Sequence, residues 1–343
     1  MKKNLTRLAS AFALPAAIVV GVAASAARPI IESIQSVVSS GSVLVANQRS
    51  ASATLIDLSS GQSRDIPVGD GPHEAAISPN GRVGVVTIYG IQGAPGNELA
   101  VIDIPSAQVT RKISLGAHTR PHGVVFMPGS NERVVVTSEA SQNVVLVDVA
   151  KGAVEDAIGT LAQTSHMVGV TGNGERAFTA NILSGSVSEL DLKGKRLVRA
   201  IPVGPRAEGI AVTPDGKSVW AGSNTDGTVS IVDVAEGKVA QTLTGFQLPY
   251  RIAISANGQL AIICDPQGDK VHVADVAQRK VLWSLDALGQ PRGVSISPDA
   301  STAFITLNGD KSVAVVDLAT RKVVKKYPVG ESPDGVAYGP AFR

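Results

Sequence analysis

Short runs of alternating β-branched and small residues fill the chain, separated by tight-turn residues. One stretch shows the unit: GIAVTPDG, KSVWAGSN, GTVSIVDV and GKVAQTL follow one another. The Val/Ile/Thr alternation marks strands, and PDG, DG and EG mark tight turns. The pattern predicts four antiparallel strands joined by hairpins, with no place for a helix.

The third strand of this unit closes on an aspartate, and that phrase recurs along the chain. TLIDL, AVIDI, VLVDV, SELDL, SIVDV, HVADV and AVVDL place Asp57, Asp103, Asp148, Asp191, Asp233, Asp275 and Asp317 at spacings of 46, 45, 43, 42, 42 and 42. Four antiparallel strands at so even a period describe the blade of an all-β, seven-bladed β-propeller. A β-helix has shorter coils and no need of three hairpin turns per repeat. The two ends complete one blade. GSVLVANQ, SATLIDL and SRDIPVG supply three strands near the start, and PDGVAYGP supplies a leading strand at the end. The ring is therefore expected to close with a C-terminal innermost strand in the first blade, leaving no open sheet edge there. The seven aspartates are expected to hold the turn after each third strand.

Residues 1–26 stand outside this pattern. Lys2, Lys3 and Arg7 precede an apolar run from Leu8 to about Val22, and Ala24-Ser25-Ala26 follows. That is the form of a secretory signal peptide cleaved after Ala26. A retained anchor is the alternative, but Pro15 and the small-residue end suit a peptidase better, and no cysteine follows for lipidation. The expected organisation is a signal peptide at 1–26, an N-terminal extension at 27–40 and the propeller at 41–343, with periplasmic or secreted location and no membrane span after processing. Setting those 26 residues aside removes three bases and no acid, which leaves 28 basic against 29 acidic residues. Nothing then favours a nucleic-acid partner. The single cysteine, Cys264, excludes an internal disulfide, so the exported chain is stabilised by its core. Aromatic residues make up only 3% of the chain, which weakens ligand classes recognised by stacking. Cys264, in AIICDP, reads as a buried small apolar residue, and His272 as a surface residue away from the axis.

TPDGKSVWAGSNTDGTVSIVDV in the fifth blade and SVAVVDLATRKVVKKYPVG in the seventh are close to SPDG…YVTN…TVSVID…VVKTIPVG. Across residues 41–340 the chain resembles the YVTN-type β-propeller repeat family of exported bacterial and archaeal proteins. The resemblance implies the fold and export, and leaves activity open, because such propellers include binding proteins, surface-layer components and domains attached to oxidoreductases. A related propeller family of lactonases also shows Pro-His ahead of a PDG turn, but no catalytic residue is carried over from it.

The candidate chemistry lies in the leading strands. GPHEAAISPNG and RPHGVVFMPG place a histidine five residues ahead of the turn, and TSHMVGVTGNG does the same. The seven blades give His73, His122, His166, Glu208, Tyr250, Arg292 and Asp334 at this register. In a propeller the leading strand is innermost, so these residues should ring the mouth of the axial channel. His118 lies in the loop leading into the same strand. Imidazoles with a carboxylate suit Zn, Cu, Fe or Ni over Ca or Mg, and His73, His122, His166 and Glu208 are the candidate metal ligands. A hydrated channel lined by polar groups, or a small anion held by Arg292 and protonated histidine, fits the same register. The second-strand ends Asn47, Glu139, Asn181, Asn224, Asp265 and Asn308 are placed on the same face, mostly as turn-holding residues. In the second blade TIYGIQGAPGNELA inserts a longer loop between Tyr89 and Glu98.

The expectation is a monomeric binding module with a metal ion or small polar ligand at the mouth, or a partner protein docked on the loop face. A metal-dependent hydrolase or lyase using the same cluster is the alternative, and a structural role in the cell envelope is a third. No G-x-S-x-G, H-E-x-x-H, Walker or dinucleotide motif is present.

Overall fold

The computed structural model describes residues 37–286 and 288–342, all within the compact unit Gln35–Arg343. Residues 1–26, read as a signal peptide, lie outside the described residues. Among the described residues, no helix is long and apolar enough to cross a membrane.

The described residues form seven four-stranded antiparallel sheets, and the only helical segment among them is the short 3₁₀ turn Gln48–Ser50. The first blade pairs Pro333–Gly339 with Ser42–Asn47, so the chain's last strand lies innermost beside its first and closes the ring. The other six blades run in order from leading to outer strand, each within one stretch of chain.

Each strand alternates its side chains between two faces, so a blade has two apolar faces to cover. The buried residues accordingly divide into seven clusters, one between each pair of neighbouring blades. Leu44, Ile66 and Val86 belong to the cluster between blades 1 and 2. The cluster between blades 7 and 1 joins Phe304, Val313 and Tyr327 to Val43, Val45 and Val336. Ring closure therefore buries apolar surface as well as pairing main chain.

The blade aspartates hold their turns as expected. Asp57 Oδ1 accepts from the Ser59 amide at 2.8 Å, and Asp148, Asp233 and Asp275 accept from the amides of Lys151, Glu236 and Gln278. Cys264 is fully buried and unpaired, and burial pushes its thiol well up. The insertion between Tyr89 and Glu98 is a β-hairpin extension rather than a loop: Val83–Ile91 and Ala94–Asp103 continue pairing to a tip at Gln92-Gly93. A Cβ on Gly90 would meet the Gly96 amide at 2.1 Å, so glycine is required where the extension kinks.

His272 is not a surface residue. It is 8% exposed, its Nδ1 is 2.8 Å from Ser284 Oγ, and its Nε2 faces Asp265 Oδ2 at 3.5 Å. The contact belongs to a staple within the blade, running from the second-strand end to a polar residue seven positions on. Asn47 donates to Thr54, and Asn181 to Ser188, across the same spacing. Asp265 also accepts from the amides of Gln247, Leu248 and Gly268, and against its burial His272 first and then these amides keep it ionised down to about pH 2.

Candidate metal centre

A one-residue bulge in the leading strand aims the channel residues. In blade 2, Pro72 pairs with Ile88 and Ala75 with Val86, so His73 and Glu74 stand together opposite Thr87. The same shift occurs at His122-Gly123, His166-Met167, Glu208-Gly209, Arg292-Gly293 and Asp334-Gly335. Bulges bend a strand and redirect its side chains. The second bulge residue is glycine in four blades because the neighbouring leading strand passes so close. A Cβ on Gly293 would meet the Asp334 carbonyl oxygen at 2.1 Å, and one on Gly209 would meet that of Tyr250 at 2.7 Å.

The bulges bring the three histidines together. His73 Nδ1 is 3.0 Å from His122 Nε2, and the His122 and His166 ring centroids are 3.7 Å apart. Asp334 joins from blade 1, its Oδ2 at 3.5 Å from His73 Nδ1. Glu139 joins from blade 3, one carboxylate oxygen bonded to His166 Nδ1 and the other accepting from the Tyr89 hydroxyl at 2.5 Å. Two groups have ligand atoms within 4.8 Å of one another: His73, His122 and Asp334, and His122, Glu139 and His166. His122 is shared. Its Nδ1 and the Asp334 Oδ1 are buried without a hydrogen-bond partner, a costly condition for polar atoms unless a ligand completes them.

A second network crosses the channel. Arg251, from blade 6, is 4% exposed. Its Nε and Nη2 donate to Glu74 Oε1 at 3.0 and 2.8 Å, and its Nη1 donates to Glu208 Oε1 at 3.3 Å. Asp334 Oδ2 lies 3.9 Å from Nη2. The guanidinium also stacks over Tyr250, 4.2 Å from its ring centroid. One side chain thereby links blades 6, 2 and 5 across the axis.

The buried acids Glu74, Glu139, Glu208 and Asp334 outnumber the buried cations. Burial opposes the charged form of His166, but hydrogen bonds and charge from Glu139 and Glu208 outweigh it and raise the imidazole to about 9. His122 is held well below the usual imidazole range by burial and by the charges of His166, His73 and Arg251. Asp334 stays ionised far into the acid range, since Arg251 and His73 overcome its burial. Burial, followed by the Glu139 carboxylate, pushes the Tyr89 phenol up.

The expected mouth residues divide in the structure. His73, His122, His166, Glu208, Tyr250 and Asp334 meet in the channel, and Arg292 stands beside Tyr250, its guanidinium 5.7 Å from the ring centroid. Glu208 meets His166, its Oε1 3.3 Å from Nε2, but the same oxygen accepts from Arg251 and its Oε2 accepts from Asn224 Nδ2, whereas Asp334 and Glu139 fall within the two groups whose ligand atoms converge. His118 is apart from the cluster, its Nδ1 3.2 Å from Asn143 Nδ2. The second-strand ends fall into two registers. Asn47, Asn181 and Asp265 bond within their own blades, so Asn181 and Asp265 do not reach the channel. The residues one position later, Gln48, Tyr89, Glu139 and Asn224, turn to it, while Asn308 bonds Gln290. A one-residue step on a strand changes the face.

Glu74, Arg251 and Gln48 were missed from sequence. Gln48 Nε2 donates to Asp334 Oδ2 at 2.5 Å and lies 3.1 Å from His73 Nδ1. A signal for the first two exists: where four blades place glycine after the register residue, blades 2 and 6 place Glu74 and Arg251.

Fold and mouth together define a seven-bladed β-propeller with an ionisable cluster at one end of its axis. Among solved structures the chain is similar to one from Kuenenia stuttgartiensis hydrazine synthase, with a TM-score of 0.70 and 19% identity, covering 81% of this chain and 93% of that one. At that identity the likeness concerns the fold. No family model matches the sequence, and no curated protein matches it.

Proposed function

We propose that the protein is an exported YVTN-type propeller that binds a transition-metal ion at the axial mouth through His73, His122 and Asp334. The observation that carries this reading is a spacing. Two ligands on a tetrahedral zinc at about 2.0–2.1 Å lie about 3.3 Å apart. His73 Nδ1 is 3.0 Å from His122 Nε2 and 3.5 Å from Asp334 Oδ2, which brackets that value. Two side chains of the trio also keep a buried polar atom without a partner, His122 at Nδ1 and Asp334 at Oδ1, beside the atoms whose spacing is given. Two imidazoles and one carboxylate favour Zn, Cu, Fe or Ni over Ca or Mg. His166 and Glu139 support the trio, His166 by stacking on His122. Several surrounding polar groups are already bonded to one another, Gln48 to Asp334, Tyr89 to Glu139 and Arg251 to Glu74 and Glu208, which favours holding an ion over turning over a substrate.

The test is calorimetric titration of metal-free protein with Zn(II) and Cu(II), on wild type and His122→Ala. One tight equivalent for wild type and none for the variant is expected. No binding by wild type, or equal binding by both, overturns the reading.

A further inference from the structure

We infer that Arg251 acts as a built-in cation that fixes the selectivity of the mouth, withholding its carboxylates from hard divalent ions. The inference rests on the metal reading only for the identity of the second ion. The channel has two places where a cation is stabilised. One is the trio of His73, His122 and Asp334. The other is already filled by the Arg251 guanidinium, which is 4% exposed and faces carboxylates from three other blades: Glu74 Oε1 at 2.8 Å, Glu208 Oε1 at 3.3 Å and Asp334 Oδ2 at 3.9 Å.

Without Arg251 these oxygens would form an oxygen-rich, buried anionic pocket. Such donor sets suit Ca or Mn. A guanidinium cannot lose its charge in a protein and presents donors in a fixed fork, so it occupies the position permanently. It also engages Glu208, with Nη1 on the same Oε1 that faces His166 Nε2 at 3.3 Å while Asn224 takes Oε2, so neither oxygen of that carboxylate is free for a further ion. The nitrogen-bearing trio is then the position left for an exchangeable ion. The sequence supports a dedicated role. This position is glycine in four blades, and a long cation appears at it in blade 6 alone, with its acidic partner Glu74 at the same position of blade 2.

The experiment is calorimetric titration with Ca(II) and with Zn(II) on wild type, Arg251→Gln, Arg251→Lys and the double variant Glu74→Gln/Arg251→Gln, with circular dichroism as the check on folding. Wild type and Arg251→Lys should take up no Ca(II). Arg251→Gln should bind one equivalent with a Kd at or below about 1 mM, and its Tm should rise as Ca(II) is added. The double variant, which removes one carboxylate with the cation, should fold and bind Ca(II) at least about tenfold more weakly than Arg251→Gln, since affinity follows ligand charge. Absence of Ca(II) binding in a folded Arg251→Gln overturns the inference, whatever zinc does. Should Arg251→Gln fail to fold without Ca(II) and fold in its presence, the inference stands. Failure in both conditions overturns it. Zinc bound by wild type with no calcium gained by Arg251→Gln sinks this inference and leaves the metal reading intact. The reverse pair of results does the opposite.

Discussion

His166→Gln tests the electrostatics of the mouth. His166 is buried between Glu139 and Glu208, and those two carboxylates raise its imidazole from 6.5 to about 9. A tenfold change in proton affinity is worth about 1.4 kcal/mol, so the raised value contributes about 3 kcal/mol to folding. Because the folded value lies above the unfolded one, this contribution is complete below about pH 6.5. It shrinks as pH rises from there and is gone above about 9. Glutamine keeps the approximate shape and some hydrogen bonding but never carries the charge. Urea unfolding of metal-free protein in chelator, followed by tryptophan fluorescence at pH 6, 8 and 10, should show wild type more stable than the variant by about 3 kcal/mol at pH 6. By pH 10 that titrating share of the difference should be gone, leaving only any constant packing loss. A difference that stays constant from pH 6 to pH 10 would refute the reasoning, because a packing loss alone does not titrate.

Gly293→Ala should destabilise the fold by about 1–3 kcal/mol in urea unfolding, since its Cβ would meet the Asp334 carbonyl oxygen at 2.1 Å, and it should weaken zinc binding by displacing Asp334. Unchanged stability and affinity together would contradict the close approach of the two leading strands. Protein recovered from an export-competent host should show an intact mass beginning at or near Ala27 with no lipid, and a mass retaining residues 1–26 would identify an anchor instead.

The repeat was legible because local rules create it. Strand alternation, turn residues and the aspartate after each third strand recur at a nearly constant period, and each acts over a few residues. The split blade at the termini followed from the same count, and so did the meeting of His73, His122 and His166, since equal positions in equal blades stand at equal height on the axis. Other features were decided only when the ring closed. Arg251 and Glu74 are 177 positions apart and meet because the channel is narrow enough for one guanidinium to span it, a distance no periodicity encodes. The bulge that admits a second residue to the channel depends on pairing between leading and second strands. At the second-strand ends a single step separates Asn181, bonded inside its blade, from the register of Glu139 and Asn224, which turns to the channel. Composition and period place a residue on a blade, whereas the pleat, the bulge and the opposing blade decide which way its side chain points and what charge it meets.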